Sequence, residues 1–250
     1  MVTWLGQPVA DSVYERIVDS VGKLKQRGVI PGLGLLLVGN NPASEVYVRM
    51  KGKACEKFGI ASKTIKLPEN ATEQDVTSAI HQLNRDPEIH GFIVQLPLPK
   101  HLPERKLLDC IDPNKDADCL TAVNIGRLVL GESHMLPCTP AGILSLLEFY
   151  GAPISGKHIV IIGRSQIVGR PLSILLSLKG IDATVTIAHS KTPNLRQLLS
   201  IADGVVAAIG VPEFLPTSHC KPGSWVVDVG VNRVPDSNSK GYKLTGDTKN

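Results

Sequence analysis

Short apolar runs alternate with amphipathic stretches along almost the whole chain. Val9, Val13, Ile17, Val18, Val21 and Leu24 recur at helical spacing and predict an amphipathic helix ending near Gly28. Gly32–Gly39 is continuously apolar and reads as a buried strand. Asn40-Asn41-Pro42 then predicts a turn, with Ser44 as the cap of the next helix. In that helix Val46, Met50, Ala54 and Phe58 fall at every fourth position, a stripe expected to face the core. Ile60–Leu67 is a second predicted strand. Thr72 with Asp75 forms a capping-box-like start for a helix to about Leu83. Gly91–Leu96 is a third buried strand and runs into Pro97-Leu98-Pro99. A short helix, Pro103–Cys110, and the polar loop Asn114–Asp118 close this half.

The second half repeats the rhythm. Thr139 as N-cap and Pro140 at the first helical position open a helix to about Tyr150. The turn Gly151–Gly156 leads into His158–Pro171, where Ile159 to Ile162 run straight into Gly163. Gly169 and Pro171 then stand at the front of a helical segment ending near Lys179. Strands are predicted at Ala183–Ala188, Val205–Ile209 and Trp225–Val229, with helices at Pro193–Ile201 and, briefly, after Pro212. Strands separated by helical segments of about ten residues imply parallel sheets with right-handed crossovers. The fold class is therefore α/β: two α/β domains, residues 1–138 and 139–250, the second a Rossmann-like doubly wound parallel sheet. After Gly230 about twenty polar residues follow, with no helix to cover the last strand.

Composition narrows the function classes. With 42% hydrophobic and 20% charged residues in 250, the chain can bury two ordinary cores. A net charge of +4, dispersed along the sequence, argues for no nucleic acid and no membrane surface as partner. Cys55, Cys110, Cys119, Cys138 and Cys220 show neither C-x-x-C nor zinc spacing, so they read as reduced thiols and the expected metal complement is none. No secretory or transit pattern opens the chain, and no apolar run approaches the roughly 20 residues of a membrane span. A cytoplasmic location is expected.

Three places could carry chemistry. The strand-to-helix turn at Gly163–Gly169 offers free N–H groups and a positive dipole end to a pyrophosphate. Its spacing is G-x5-G and not G-x-G-x-x-G, so a plain βα turn with two glycines fits the pattern equally well. After the next strand, where an NAD site places an acid, this chain has His189-Ser190-Lys191, and Arg164 lies in the glycine turn. Two cations with hydroxyls suit a 2′-phosphate, so NADP is favoured over NAD.

On the Ser44 helix, Tyr47 and Lys51 are neighbours four residues apart. Lys51 either snorkels at the border of the core or is partly desolvated in a cleft, where a lysine is suited to proton transfer. Gln95 ends a buried strand, the place where open α/β sheets put ligand groups. Asp116 and Asp118, on their own, read as solvated or capping acids.

Together these residues resemble a known family. Tyr47-Val48-Arg49-Met50-Lys51, Val94-Gln95-Leu96-Pro97-Leu98-Pro99 and Lys115-Asp116-Ala117-Asp118 are similar to signatures of bifunctional methylenetetrahydrofolate dehydrogenase/cyclohydrolases. So are Pro137-Cys138-Thr139-Pro140, Gly163-Arg164-Ser165 with Val168-Gly169-Arg170-Pro171, His189-Ser190-Lys191 and Asp228-Val229-Gly230. The matches are collinear and span nearly the whole chain. The resemblance implies NADP-dependent oxidation of methylenetetrahydrofolate and hydrolysis of the methenyl product to formyltetrahydrofolate, a step of one-carbon metabolism. It places the active site in a cleft between the domains.

By position, the resemblance makes Lys51 the general acid/base, held by Gln95, with Tyr47 orienting the folate and Asp118 accepting from the pterin. Arg164, Ser165, Ser190 and Lys191 would hold the NADP phosphates, with Gly163, Ile167 and Thr139 lining the cofactor path. A homodimer through the second domain is implied. Two departures stand out. Cys119 occupies a family glycine position, and family members continue past Gly246-Asp247 with a glycine-rich segment beside the folate and a final helix. The second departure sets an alternative beside the enzyme: an NADP-binding remnant without part of its folate site.

Overall fold

The structure, a computed structural model, describes residues 2–236 and 241–249. The first elements are α1 (Gly6–Gln26), β1 (Gly32–Val38), α2 (Pro42–Phe58), β2 (Ala61–Leu67), α3 (Glu73–Arg85), β3 (Gly91–Val94) and the short α4 (Glu104–Leu108). They are followed by α5 (Ala122–Leu130), α6 (Cys138–Phe149), β4 (His158–Ile162), α7 (Gly169–Ser177), β5 (Thr184–Ala188), α8 (Leu195–Ile201) and β6 (Gly204–Ala207). The chain ends with β7 (Leu215–Pro216), β8 (Trp225–Asp228), β9 (Asn232–Pro235), β10 (Tyr242–Thr245) and β11 (Thr248–Lys249). It divides into two units, Met1–Gly126 and Arg127–Asn250.

In the first unit β1 lies between β2 and β3, and both pairings are parallel. Leu35, Leu36 and Leu37 of β1 are almost completely buried, as expected of a strand covered on both faces. Each such leucine contributes about 1.5–3 kcal/mol by leaving water. β2 forms one edge and is mostly exposed; Lys63 donates to Asp86 and Lys66 to Glu45, both at 2.6 Å. The capping box opening α3 is formed: the Thr72 hydroxyl accepts from the Asp75 N–H, and the Asp75 carboxylate accepts from the Thr72 N–H.

In the second unit the order is β5-β4-β6-β8, all parallel. Ile159, Val160, Ile161 and Ile162 of β4 are buried, which explains the continuous apolar run. In both sheets the chain starts on an inner strand, steps to one side, then crosses back to the other. Each sheet thus has a switch point at the carboxyl ends of its first strand and the strand reached on return, where α/β sheets open a crevice.

Several expectations are corrected. The cap of α2 is Asn41, not Ser44: its Oδ1 accepts from the N–H groups of Ala43 and Ser44 at 3.0 and 3.2 Å, with Pro42 at the first helical position. The inward face of α2 carries Ser44, Val48 and Cys55, whereas Met50 of the expected stripe is exposed. Thr139 is not an N-cap. Pro137 takes that place, and Thr139 lies exposed inside the first turn of α6. The sequence does not announce helix α5, because Asn124 and Gly126 interrupt its apolar pattern. No helix follows Pro212 directly; the chain forms β7 and a single 3₁₀ turn, Thr217–His219, instead.

The described residues of the polar tail form strands. β9 and β10 pair antiparallel, and β11 pairs parallel with β7. Two carboxylates lock this tail. Asp228 accepts from the Thr248 hydroxyl at 2.6 Å and from the N–H groups of Asp247, Thr248 and Gly230 at 2.9 Å. Burial pushes the Asp228 carboxyl up, but the donations from Thr248, Asp247 and Gly230 outweigh it and leave it below the ordinary aspartate value.

The sign of that shift fixes a pH dependence. A carboxyl whose folded value is depressed stabilises the fold above its unfolded value, and that stabilisation is lost as pH falls through the folded one. Tail stability should hold from neutrality to about pH 5 and fall below about pH 4. Acid titration of the unfolding midpoint checks this, with Asp228→Asn expected to show a smaller acid loss. An identical loss in that variant would refute the assignment.

Candidate functional sites

The first site is built at the carboxyl end of β3. Gln95 follows Val94 directly, and its N–H donates to the Leu36 carbonyl at 2.9 Å, so the β1–β3 ladder fixes its backbone. Its side-chain amide donates to the Leu96 carbonyl at 2.8 Å, and the Ser44 hydroxyl is directed at that carbonyl from 3.5 Å. With Nε2 so engaged, Oε1 faces α2 and accepts from Lys51 Nζ at 3.1 Å. The lysine and the strand-end amide expected from sequence are therefore brought together. Lys51 is half-buried, seven residues on from Ser44 and four before Cys55, and so on the inward face of α2. Tyr47, one turn earlier, is 48% exposed and free to meet a ligand from solvent.

The loop Lys115–Asp118 divides its labour. Lys115 Nζ donates to the Asp86 carbonyl at 2.7 Å and the Leu83 carbonyl at 3.4 Å, closing the carboxyl end of α3. Asp116 is buried and accepts from the Thr121 N–H at 2.8 Å and from Asn124 Nδ2 at 3.0 Å. These two are structural. Asp118 stays half-buried, and Cys119 beyond it is buried with φ 58°, a left-handed conformation that suits a glycine better than a cysteine. An open concavity lined by Asn40, Pro68, Glu69, Asn70 and His101 shares no residue with the Lys51–Gln95 pair.

The second site is the crevice at the carboxyl ends of β4 and β6. Gly163 leaves β4 at φ 122°, and a Cβ there would stand 2.2 Å from the Ala208 carbonyl oxygen. A Cβ on Gly169 would stand 2.2 Å from the Gly163 carbonyl oxygen. Both glycines are required by close backbone approach. The Ser165 hydroxyl accepts from the N–H groups of Val168 and Gly169 at 3.1 and 3.4 Å, so it braces the front of α7. Arg164 and Ile167 are exposed.

Ile162 of β4 pairs with Ala188 of β5, so the loop His189-Ser190-Lys191 leaves the same edge one strand over. That loop is held by the His189 N–H donating to Thr192 Oγ1 at 2.9 Å and the Lys191 N–H donating to His189 Nδ1 at 3.1 Å. Ser190 and Lys191 are exposed. Among the described residues, neither Arg164 nor Lys191 is engaged in an ion pair. A glycine cradle flanked by two uncommitted cations fits a phosphorylated dinucleotide.

Both parts of the chain are similar to known proteins. Residues 4–118 match the catalytic domain of tetrahydrofolate dehydrogenase/cyclohydrolase, and residues 137–250 match its NAD(P)-binding domain. The chain belongs to the tetrahydrofolate dehydrogenase/cyclohydrolase family. The bifunctional protein FolD of Chlamydia muridarum is 47% identical over 245 residues, covering 97% of this chain and 84% of that protein. FolD of Porphyromonas gingivalis is 45% identical over 248 residues, with 98% and 84% covered. Among solved structures, the bifunctional enzyme FolD of Campylobacter jejuni superposes with TM-score 0.91 at 40% identity, covering 98% of this chain and 84% of that one. The Trypanosoma brucei methylenetetrahydrofolate dehydrogenase-cyclohydrolase, solved with NADP and an inhibitor, gives TM-score 0.93 at 37% identity, covering 99% and 85%. Among the described residues no helix is long and apolar enough to cross a membrane.

Proposed function

We propose that Lys51 is the proton-transfer group of an NADP-dependent methylenetetrahydrofolate dehydrogenase and methenyltetrahydrofolate cyclohydrolase. The activity follows from membership of the family along nearly the whole chain, which favours an enzyme over an NADP-binding remnant. The observation that carries the role of Lys51 is its 3.1 Å hydrogen bond to Gln95 at the switch point of the first sheet. Residues 1–138 form the folate-binding catalytic part and residues 139–250 the NADP-binding part.

In the hydrolytic half-reaction, water adds to the methenyl carbon and one ring carbon–nitrogen bond opens to leave the formyl group. Lys51 Nζ takes a proton from the attacking water and returns one to the departing nitrogen. Gln95 Oε1 holds that amine in place, Tyr47 orients the folate, and Asp118 accepts hydrogen bonds from the pterin. NADP, when bound, supplies the hydride acceptor for the oxidative half-reaction. Arg164, Ser165, Ser190 and Lys191 hold its phosphates, and Gly163, Ile167 and Thr139 line its path. The second domain pairs two chains as a homodimer in the cytoplasm, and the protein engages neither nucleic acid nor membrane.

The test is direct. Mixing the chain with methylenetetrahydrofolate and NADP should raise the near-ultraviolet absorbance of reduced nicotinamide; no signal at saturating substrate would reject the activity. Arg164→Ala should weaken NADP binding by about tenfold or more while changing NAD affinity little, since a charge-assisted bond to phosphate contributes about 1.5–3 kcal/mol. Equal losses for the two dinucleotides in calorimetry would reject Arg164 as the 2′-phosphate partner.

A further inference from the structure

Asp247 is completely buried, yet none of the proposed chemistry uses it. Its Oδ2 accepts from the N–H groups of Ile209 and Gly210 at 2.7 and 3.0 Å, and its Oδ1 accepts from Asn232 Nδ2 at 2.9 Å. A buried carboxylate is a costly way to fill space and is tolerated only when donors converge on it. Here the two convergent backbone donors belong to the stretch that continues β6 past Ala207, beside the glycine turn. Ala208, at the start of that stretch, presents the carbonyl that leaves no room for a Cβ on Gly163. The backbone from Ala208 to Gly210 thus packs directly beside Gly163 and forms that edge of the crevice.

The tail that brings Asp247 there is itself fixed. A Cβ on Gly230 would stand 2.2 Å from Asp247 Oδ1, and one on Gly246 would stand 1.9 Å from Asp228 Oδ2. The Asp247 N–H donates to Asp228 Oδ1, and its carbonyl accepts from the Leu215 N–H, both at 2.9 Å. Without the Asp247 carboxylate, the Ile209 and Gly210 amides would lose their partners and this backbone would have to turn to find others.

We propose that Asp247 is a positioning residue for the dinucleotide: from the tail it holds the Ala208–Gly210 backbone at the distance from Gly163 that the cofactor requires. The inference rests on the reading of this crevice as the NADP site. Asp247→Ala should raise the NADP dissociation constant about tenfold or more, because two buried donors lose their acceptor. Methenyl hydrolysis, which reports on the Lys51 site, should stay within about twofold, so the loss appears in NADP binding alone. Asp247→Asn keeps an oxygen for Ile209 and Gly210 while the Asn232 amide can turn to accept, and should bind NADP within about threefold of the parent.

Hydrogen exchange on the unaltered chain gives a second readout independent of how any variant folds. The Ile209 and Gly210 amides should be protected and become more so with NADP. Wild-type NADP affinity in Asp247→Ala, or rapid exchange of both amides with and without NADP, would overturn the proposal. Arg164→Ala separates the two readings. If it weakens NADP binding and Asp247→Ala does not, the positioning role fails alone; if the chain binds no NADP, the crevice reading fails.

Discussion

Lys51→Met is expected to lower methenyl hydrolysis by about a hundred- to ten-thousand-fold, the range supplied by a positioned acid or base. Methionine keeps the length and apolar stem of the lysine but removes the amine that Gln95 holds at 3.1 Å. Gln95 is half-buried and its other end stays bound to the Leu96 carbonyl, so the change leaves no stranded buried group. Folding and NADP binding should therefore survive, and the loss should appear in kcat. Following methenyl absorbance in single turnovers measures it. A variant that hydrolyses at the parent rate removes Lys51 from the chemistry.

Gly163→Ala is expected to destabilise the second unit by about 2–5 kcal/mol, adding strained backbone to an overlap that cannot relax. The obstacle is the Ala208 main-chain oxygen at 2.2 Å and not a side chain that could swing away. Gly28→Ala makes the control: Gly28 has φ 76° but nothing within 4 Å of an added Cβ. There the cost should be the left-handed penalty alone, about 1–2 kcal/mol. Denaturant midpoints for both variants, with NADP affinity for the first, decide the matter. Equal midpoint losses would mean that the close approach at Gly163 carries no energy.

The buried strands were plain in the sequence because a strand covered on both faces shows as an unbroken apolar run, as in Leu35–Val38 and Ile159–Ile162. The glycine turn was plain too, although its spacing could not tell a ligand cradle from a tight corner; that took the distances from Gly163 and Gly169 to neighbouring carbonyls. The inward face of α2 is hidden in the sequence for a physical reason. Its inward positions, Ser44, Val48, Lys51 and Cys55, include a hydroxyl and a lysine, so hydrophobicity pointed to Val46 and Met50 instead. Local rules fail where a chain commits polar groups to chemistry. The tail was illegible because its order comes from two carboxylates, Asp228 and Asp247, bonded to backbone distant in sequence, which no periodicity records.

Edge strand β2 has a consequence beyond its own sheet. Among the described residues it pairs on one side only, leaving a row of backbone donors and acceptors toward solvent, the surface on which another chain could grow a cross-β stack. Lys63 and Lys66 project to opposite faces of that strand, and each is latched to the helical layer on its side, through Asp86 and Glu45. An incoming strand would meet a fixed positive charge whichever face it matched. The two lysines thus place charge on both faces of this edge, and replacing them with apolar residues is expected to make it more prone to pairing with another chain.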